Sequence, residues 1–158
     1  EFLICDYQKL YGLPFTILRY GIPYGPRMRM ELVIPIFLKK AFDGKPLTLS
    51  GDGSQYRNFI YVEDLADAHI MALNDKAENE ILNLEGMRRI SIKEIAETIE
   101  TLYDKDVTIE YMDARPGDYE GKEASNDKIK RLLNWEPKVD FQEGMKNTID
   151  WFKSIYDH

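Results

Sequence analysis

The chain has 158 residues, 44% of them hydrophobic, and a net charge of −7. That is enough apolar content to bury the core of one domain, and the acidic balance argues against nucleic acid or an anionic membrane as the main partner. The single cysteine, Cys5, excludes an internal disulfide framework and suits a reducing cytoplasm; no apolar run approaches the roughly 18 residues a membrane span needs, and no signal-peptide pattern opens the sequence.

The first residues, "EFLICDYQKLYG", carry no methionine and are already in a helical pattern, which reads as a cut through something longer or as simple processing. Phe2, Cys5, Tyr7 and Leu10 give this helix a mixed apolar face, and "GLP" at 12–14 stops it. "FTILRY" follows as a strand, apolar and β-branched enough to be buried on both faces, and runs into a Gly/Pro/Arg loop, "GIPYGPR". "ELVIPIFLKKAFDG" reads as a helix ending at Gly44, with Pro35 predicting a kink or an irregular first turn. "PLTLS" and "NFIYV" are strands on either side of the turn "GDGS".

"VEDLADAHIMAL" opens a helix with acidic residues in its first turn, and "ILNLEG" is the next strand. "SIKEIAETIETLYD" carries a capping box, Ser91 with Glu94. "VTIEYM" is a strand, "RPGDYEGKEAS" a polar loop, and two helices around Pro137 close the chain, the second capped by Asp140 with Glu143. The interleaving of strands and helices predicts an α/β layered architecture.

Few of these elements carry obvious chemistry. His69 has Asp67 two residues away, on a different helix face, so the spacing favours a structural or surface histidine over a catalytic pair. Cys5 has no basic neighbour in sequence and reads as a core thiol. Metal-ligand spacing and a GxSxG elbow are both missing from the sequence. What remains is a set of arginines beside glycines: Arg57 between a tight turn and a strand, Arg115 in "ARPGD", and Arg27 and Arg29 after "YGP". A guanidinium grips paired phosphate oxygens, and glycine lets a ligand approach the backbone. In an acidic protein such loop arginines point to a small anionic ligand; solvated or ion-paired surface arginines are the alternative.

"YGLPFTILRYGIPYGPR", "VIPIFLKKAFDGKPLTLSGDGSQYRNFIYVEDLADA", "LNLEG…SIKEIAETI" and "RPGD…SNDKIKRLLNWEP" occur together in order and spacing. With these motifs the chain resembles the C-terminal half of extended short-chain dehydrogenase/reductases, the NAD-dependent nucleotide-sugar epimerase/dehydratase family typified by UDP-glucose 4-epimerase. The resemblance implies an α/β fold with two parts. Residues 1–23 would be the last helix and strand of the NAD-binding Rossmann half, and 24–158 the nucleotide-sugar-binding domain. The family's glycine motif and Tyr-x-x-x-Lys pair would precede Glu1, so this part alone would be inactive and would not hold NAD tightly.

The resemblance also implies site residues. Tyr20 and Pro23 match positions bordering the nicotinamide, Val33 and Pro35 the segment lining the nucleotide, and Thr48 and Ser50 the strand end flanking the base. Arg57 and Arg115 match two arginines that hold the diphosphate, and Asp118 a ribose-contacting position. Implied with them are a UDP-hexose substrate, isomerase chemistry in carbohydrate metabolism, a cytoplasmic homodimer, and no nucleic acid, membrane or metal. Three departures stand out: Ile22 where the family has asparagine, Asn58 where it has aspartate, and Gly21 in place of a bulkier aromatic, predicting a larger sugar pocket. The alternatives are a nucleotide-sugar 4,6-dehydratase or reductase of the same family, or a non-catalytic binding module on the same scaffold.

Overall fold

A computed structural model of the chain describes residues 1–114, 117 and 124–156. It is an α/β protein, as the sequence predicts. In chain order the elements are α1 (Phe2–Tyr11), β1 (Thr16–Tyr20), β2 (Ile22–Tyr24), α2 (Val33–Phe42), β3 (Leu47–Ser50), β4 (Tyr56–Tyr61), α3 (Val62–Met71), β5 (Glu80–Leu84), β6 (Arg89–Ser91), α4 (Ile92–Leu102), β7 (Ile109–Met112), α5 (Asp127–Leu133) and α6 (Phe141–Tyr156). Among the described residues β1 pairs with β5 and β3 with β7, both parallel, while β4 lies between β2, parallel, and β6, antiparallel.

Two apolar clusters meet at β4. Phe59 and Tyr61 pack into the larger one with α2, β3, α4 and α6, and Ile60 points the other way into a cluster with Leu65, Leu82, Leu84, Ile129 and Trp135. This is the period-two alternation of a strand buried on both faces. Asp64, buried in the first turn of α3, ties the C-terminal segment to this strand's far end. Its Oδ1 and Oδ2 accept the Lys138 and Val139 N–H groups, each at 3.0 Å, and its carbonyl accepts the Trp135 Nε1–H at 3.3 Å.

Several expectations are corrected. "IPY" is strand β2 rather than loop; it lies at an edge, where a proline without an N–H is tolerated. Pro35 needs no kink, because it is the third residue of α2, within the first turn, whose N–H groups lack intrahelical partners anyway. β1 is not buried on both faces: Ile17 alone is buried, and β5 is the strand's one neighbour among the described residues. Cys5 is half-exposed rather than a core thiol, since α1 buries none of its side chains. Phe2, Leu3, Leu10 and Tyr11 all stand more than half exposed on that helix. Gly12, left-handed at φ 66°, closes it by donating to the Gln8 carbonyl at 2.8 Å.

Candidate functional site

The strands fix where a ligand can sit. β1 and β5 run parallel with Tyr20 opposite Leu84, so Gly21 and Glu85 are the first residues beyond two matched strand ends. The start of β4 abuts them: a Cβ built on Gly21 would lie 2.3 Å from the Asn58 carbonyl oxygen and 2.7 Å from Glu85 Oε2. Carboxyl ends of parallel strands are where α/β proteins bind ligands. Beside this edge lies a hollow of about 400 Å³, lined by Asn58, Glu85, Arg88, Arg89 and Ser125 among others.

Arg57 is on strand β4, not in the loop before it. The unforeseen strand β6 pairs with 56–58 and extends β4 two residues towards its N-terminus, setting Arg57 opposite Ile90 and Asn58 opposite Arg89. Alternation places Arg57 on the other face from Asn58 and Arg89. Its Nη1 donates to the Tyr56 carbonyl at 2.7 Å, and the Arg89 guanidinium lies 4.8 Å from the centre of the Tyr56 ring. Arg88 is held by Glu94 through two hydrogen bonds of 2.9 and 2.5 Å.

The remaining expected residues are spread over β3, α2, a second hollow and the surface beside α3. Thr48 and Ser50 alternate with buried Leu47 and Leu49 on β3. Thr48 Oγ1 accepts from Lys40 Nζ at 2.6 Å, and the Ser50 carbonyl accepts from Gln55 Nε2 at 3.1 Å. Ser50 is thus joined to the turn that leads into Arg57. Val33 packs against the larger cluster, Pro35 is buried in α2, and Pro23 lines a separate hollow of about 240 Å³ with Arg27, Arg29, Leu32 and Val62. Tyr20 is half-exposed, its ring centre 6.1 Å from that of His69, and His69 Nδ1–H donates to the Leu65 carbonyl at 2.8 Å, a helix-surface arrangement. Arg115 and Asp118 lie outside the described residues. The described residues flanking that segment do reach the site: Ala114 lies against Gly51, and Ala124 lines the larger hollow.

Two departures acquire a physical meaning. Ile22 packs against the larger cluster opposite Phe59. The space at Gly21 is not an enlarged pocket; the Asn58 backbone and the Glu85 carboxyl fill it. Glu85, Arg89 and Ser125 were missed in the sequence. Glu85 carried a readable signal, being the residue that follows the apolar strand "ILNL".

Burial pushes the Glu85 carboxyl above the ordinary carboxylate range, and a hydrogen bond from Asn58 draws it part of the way back. A carboxyl raised in the folded state keeps its proton longer there than in the unfolded chain, so stability falls as pH rises from the ordinary value through the raised one. Glu85→Gln removes that fall. Urea midpoints of both proteins between about pH 4 and 7 should show the variant gaining on the wild type as pH rises, then levelling off. A pH-independent difference refutes this.

The described residues include no Gly-x-Gly-x-x-Gly turn to cradle a dinucleotide pyrophosphate. They include no group of three or more His, Cys, Asp or Glu suited to a metal, and no helix long and apolar enough to cross a membrane. Residues 1–84 match the family described as NAD dependent epimerase/dehydratase. The chain belongs to that family. As a member of the NAD-dependent epimerase/dehydratases it is 39% identical, over 154 residues, to UDP-glucuronate 4-epimerase of Thermodesulfobacterium geofontis, covering 97% of this chain and 47% of that protein. UDP-glucuronic acid 4-epimerase from Bacillus cereus, solved with UDP-glucuronic acid and NAD, superposes with a TM-score of 0.89 at 32% identity, over 98% of this chain and 50% of that one. UDP-glucose 4-epimerase from Thermotoga maritima, solved with UDP-glucose, gives a TM-score of 0.87 at 31% identity, with the same coverage of 98% and 50%. The chain thus spans about half the length of the relatives it matches.

Proposed function

We propose that this chain forms the nucleotide-sugar-binding part of an NAD-dependent nucleotide-sugar epimerase of the UDP-glucose/UDP-galactose 4-epimerase type. One observation carries the reading: the ends of β1 and β5 and the start of β4 at Asn58 converge on a single edge, in a family whose similar solved structures hold UDP-sugars. On this reading Arg57 and Arg115 hold the diphosphate and Asp118 the ribose. Val33, Pro35, Thr48 and Ser50 line the nucleoside, and Tyr20 and Pro23 face the nicotinamide. Residues 1–23 belong with the Rossmann half and 24–158 with the substrate half. The apolar face of α1, with Phe2, Leu3 and Leu10 exposed, is the kind of surface such a half would cover.

NAD, when bound, supplies a transient oxidation of a hexose carbon. The tyrosine and lysine that move the proton lie outside these residues, so the chain alone binds nucleotide without turning it over. The assembled enzyme is a cytoplasmic homodimer that takes neither nucleic acid nor metal.

Calorimetric titration with UDP tests the site. Arg57→Ala should weaken binding by about 1.5–3 kcal/mol, the worth of a hydrogen bond to a charged group, or roughly 10- to 150-fold. Arg57→Lys keeps the charge but loses the planar fork, and should fall in between. Unchanged affinity in a correctly folded Arg57→Ala protein would reject the phosphate role.

A further inference from the structure

At the strand ends where β1 and β5 stop side by side, a carboxylate has no cation paired with it among the described residues. The Glu85 backbone is held there at two atoms: its N–H donates to Asn126 Oδ1 at 2.7 Å, and its carbonyl accepts from Asn126 Nδ2 at 2.9 Å. The side chain is wedged over Gly21, with Oε2 only 2.7 Å from where a Cβ on that residue would be. Oε2 is buried and accepts no hydrogen bond, which leaves the Asn58 contact to the other oxygen. Among the described residues no lysine or arginine pairs with Glu85, and Arg88, in the same hollow, is taken by Glu94.

We infer that Glu85 is a charge filter for the sugar: held over Gly21 at the ligand edge, it selects nucleotide sugars with a neutral hexose over those carrying a hexuronic acid. The inference rests on the nucleotide-sugar reading above and narrows its substrate class. The physics is like-charge repulsion at a part-buried position. A uronate brings a second carboxylate to an edge where the first has no counter-ion among the described residues, and the low effective dielectric there leaves the repulsion only partly screened. A neutral hexose presents hydroxyls and meets no such penalty. The effect is specific to this chain's pairing of a small residue at 21 with an acid at 85, because a side chain on Gly21 would occupy the carboxylate's place.

The test is equilibrium binding of UDP, UDP-glucose and UDP-glucuronate at pH 8 to the wild type, Glu85→Gln and Glu85→Ser. The wild type should prefer UDP-glucose to UDP-glucuronate by about tenfold or more. Glu85→Gln, with the same shape and no charge, should close that gap to within about twofold while UDP affinity stays the same. Glu85→Ser should do likewise, which excludes a new bond from the glutamine amide as the cause. Equal wild-type affinity for the two sugars, or a gap that survives both substitutions, overturns the charge filter while leaving the UDP site standing. A wild type that fails to bind UDP overturns the nucleotide-site reading, and this inference with it.

Discussion

Gly86→Ala should cost about 3 kcal/mol or more of folding stability, a large share of the 5–15 kcal/mol a domain of this size commonly has. A Cβ on Gly86 would lie 1.8 Å from the Phe59 carbonyl oxygen and 2.9 Å from its carbon, so the connection between β5 and β6 crosses directly over the backbone of β4. Both colliding atoms are main chain, and no rotamer can relieve them. Either β4 or the crossing loop must move, and both reach the hollow beside Asn58. Urea unfolding would show the loss, and UDP affinity should fall with it. Gly12→Ala is the control: nothing lies within 4 Å of that position, so it should cost only the left-handed backbone penalty, about 1–2 kcal/mol. If Gly86→Ala costs no more than Gly12→Ala, the close crossing is not as described.

The second large effect is expected at Asp64. Its carboxylate caps two successive N–H groups, of Lys138 and Val139, from a position only 3% exposed. Alanine leaves both donors without their acceptor, for a loss of about 2–4 kcal/mol. Asparagine keeps one acceptor oxygen and should lose about half as much. Chemical denaturation of the two variants separates the outcomes: equal losses, or losses under about 1 kcal/mol in both, would show that the cap does not hold the C-terminal segment.

Helices α4 and α6 were the most legible in the sequence, because each declares its start and its buried face. Ser91 Oγ does accept the Glu94 N–H, at 3.0 Å, and Asp140 Oδ1 accepts those of Gln142 and Glu143, at 2.8 and 3.0 Å. Half of the capping box failed, since the Glu94 carboxylate turns to Arg88 rather than back to Ser91. Short strands were the weak point. β6 has three residues, too few to show alternation, and β2 holds a proline with a glycine two residues to either side, the punctuation of a loop. Missing β6 meant missing the register that puts Arg57 within β4 and Arg89 across from Asn58.

The site was legible only where a residue matters by its own type. Arg57 stands out as an arginine beside glycines. Glu85 shows its place at a strand end but not its role, because that comes from Gly21, a residue in another strand's connection that parallel pairing brings alongside. Gly21 looked like added room for the same reason. Whether a missing side chain leaves a void depends on what crosses it, and a periodic pattern holds no information about that.

β4 has one more consequence. It sends Phe59 and Tyr61 into one apolar cluster and Ile60 into the other, so neither cluster can loosen without breaking the same ladder. Heat or denaturant should therefore take both apart in one cooperative transition. The edge formed with Gly21 and Glu85 sits at the start of that same strand, so a methyl group removed from the interior on either side should be felt there as a shift in Asn58.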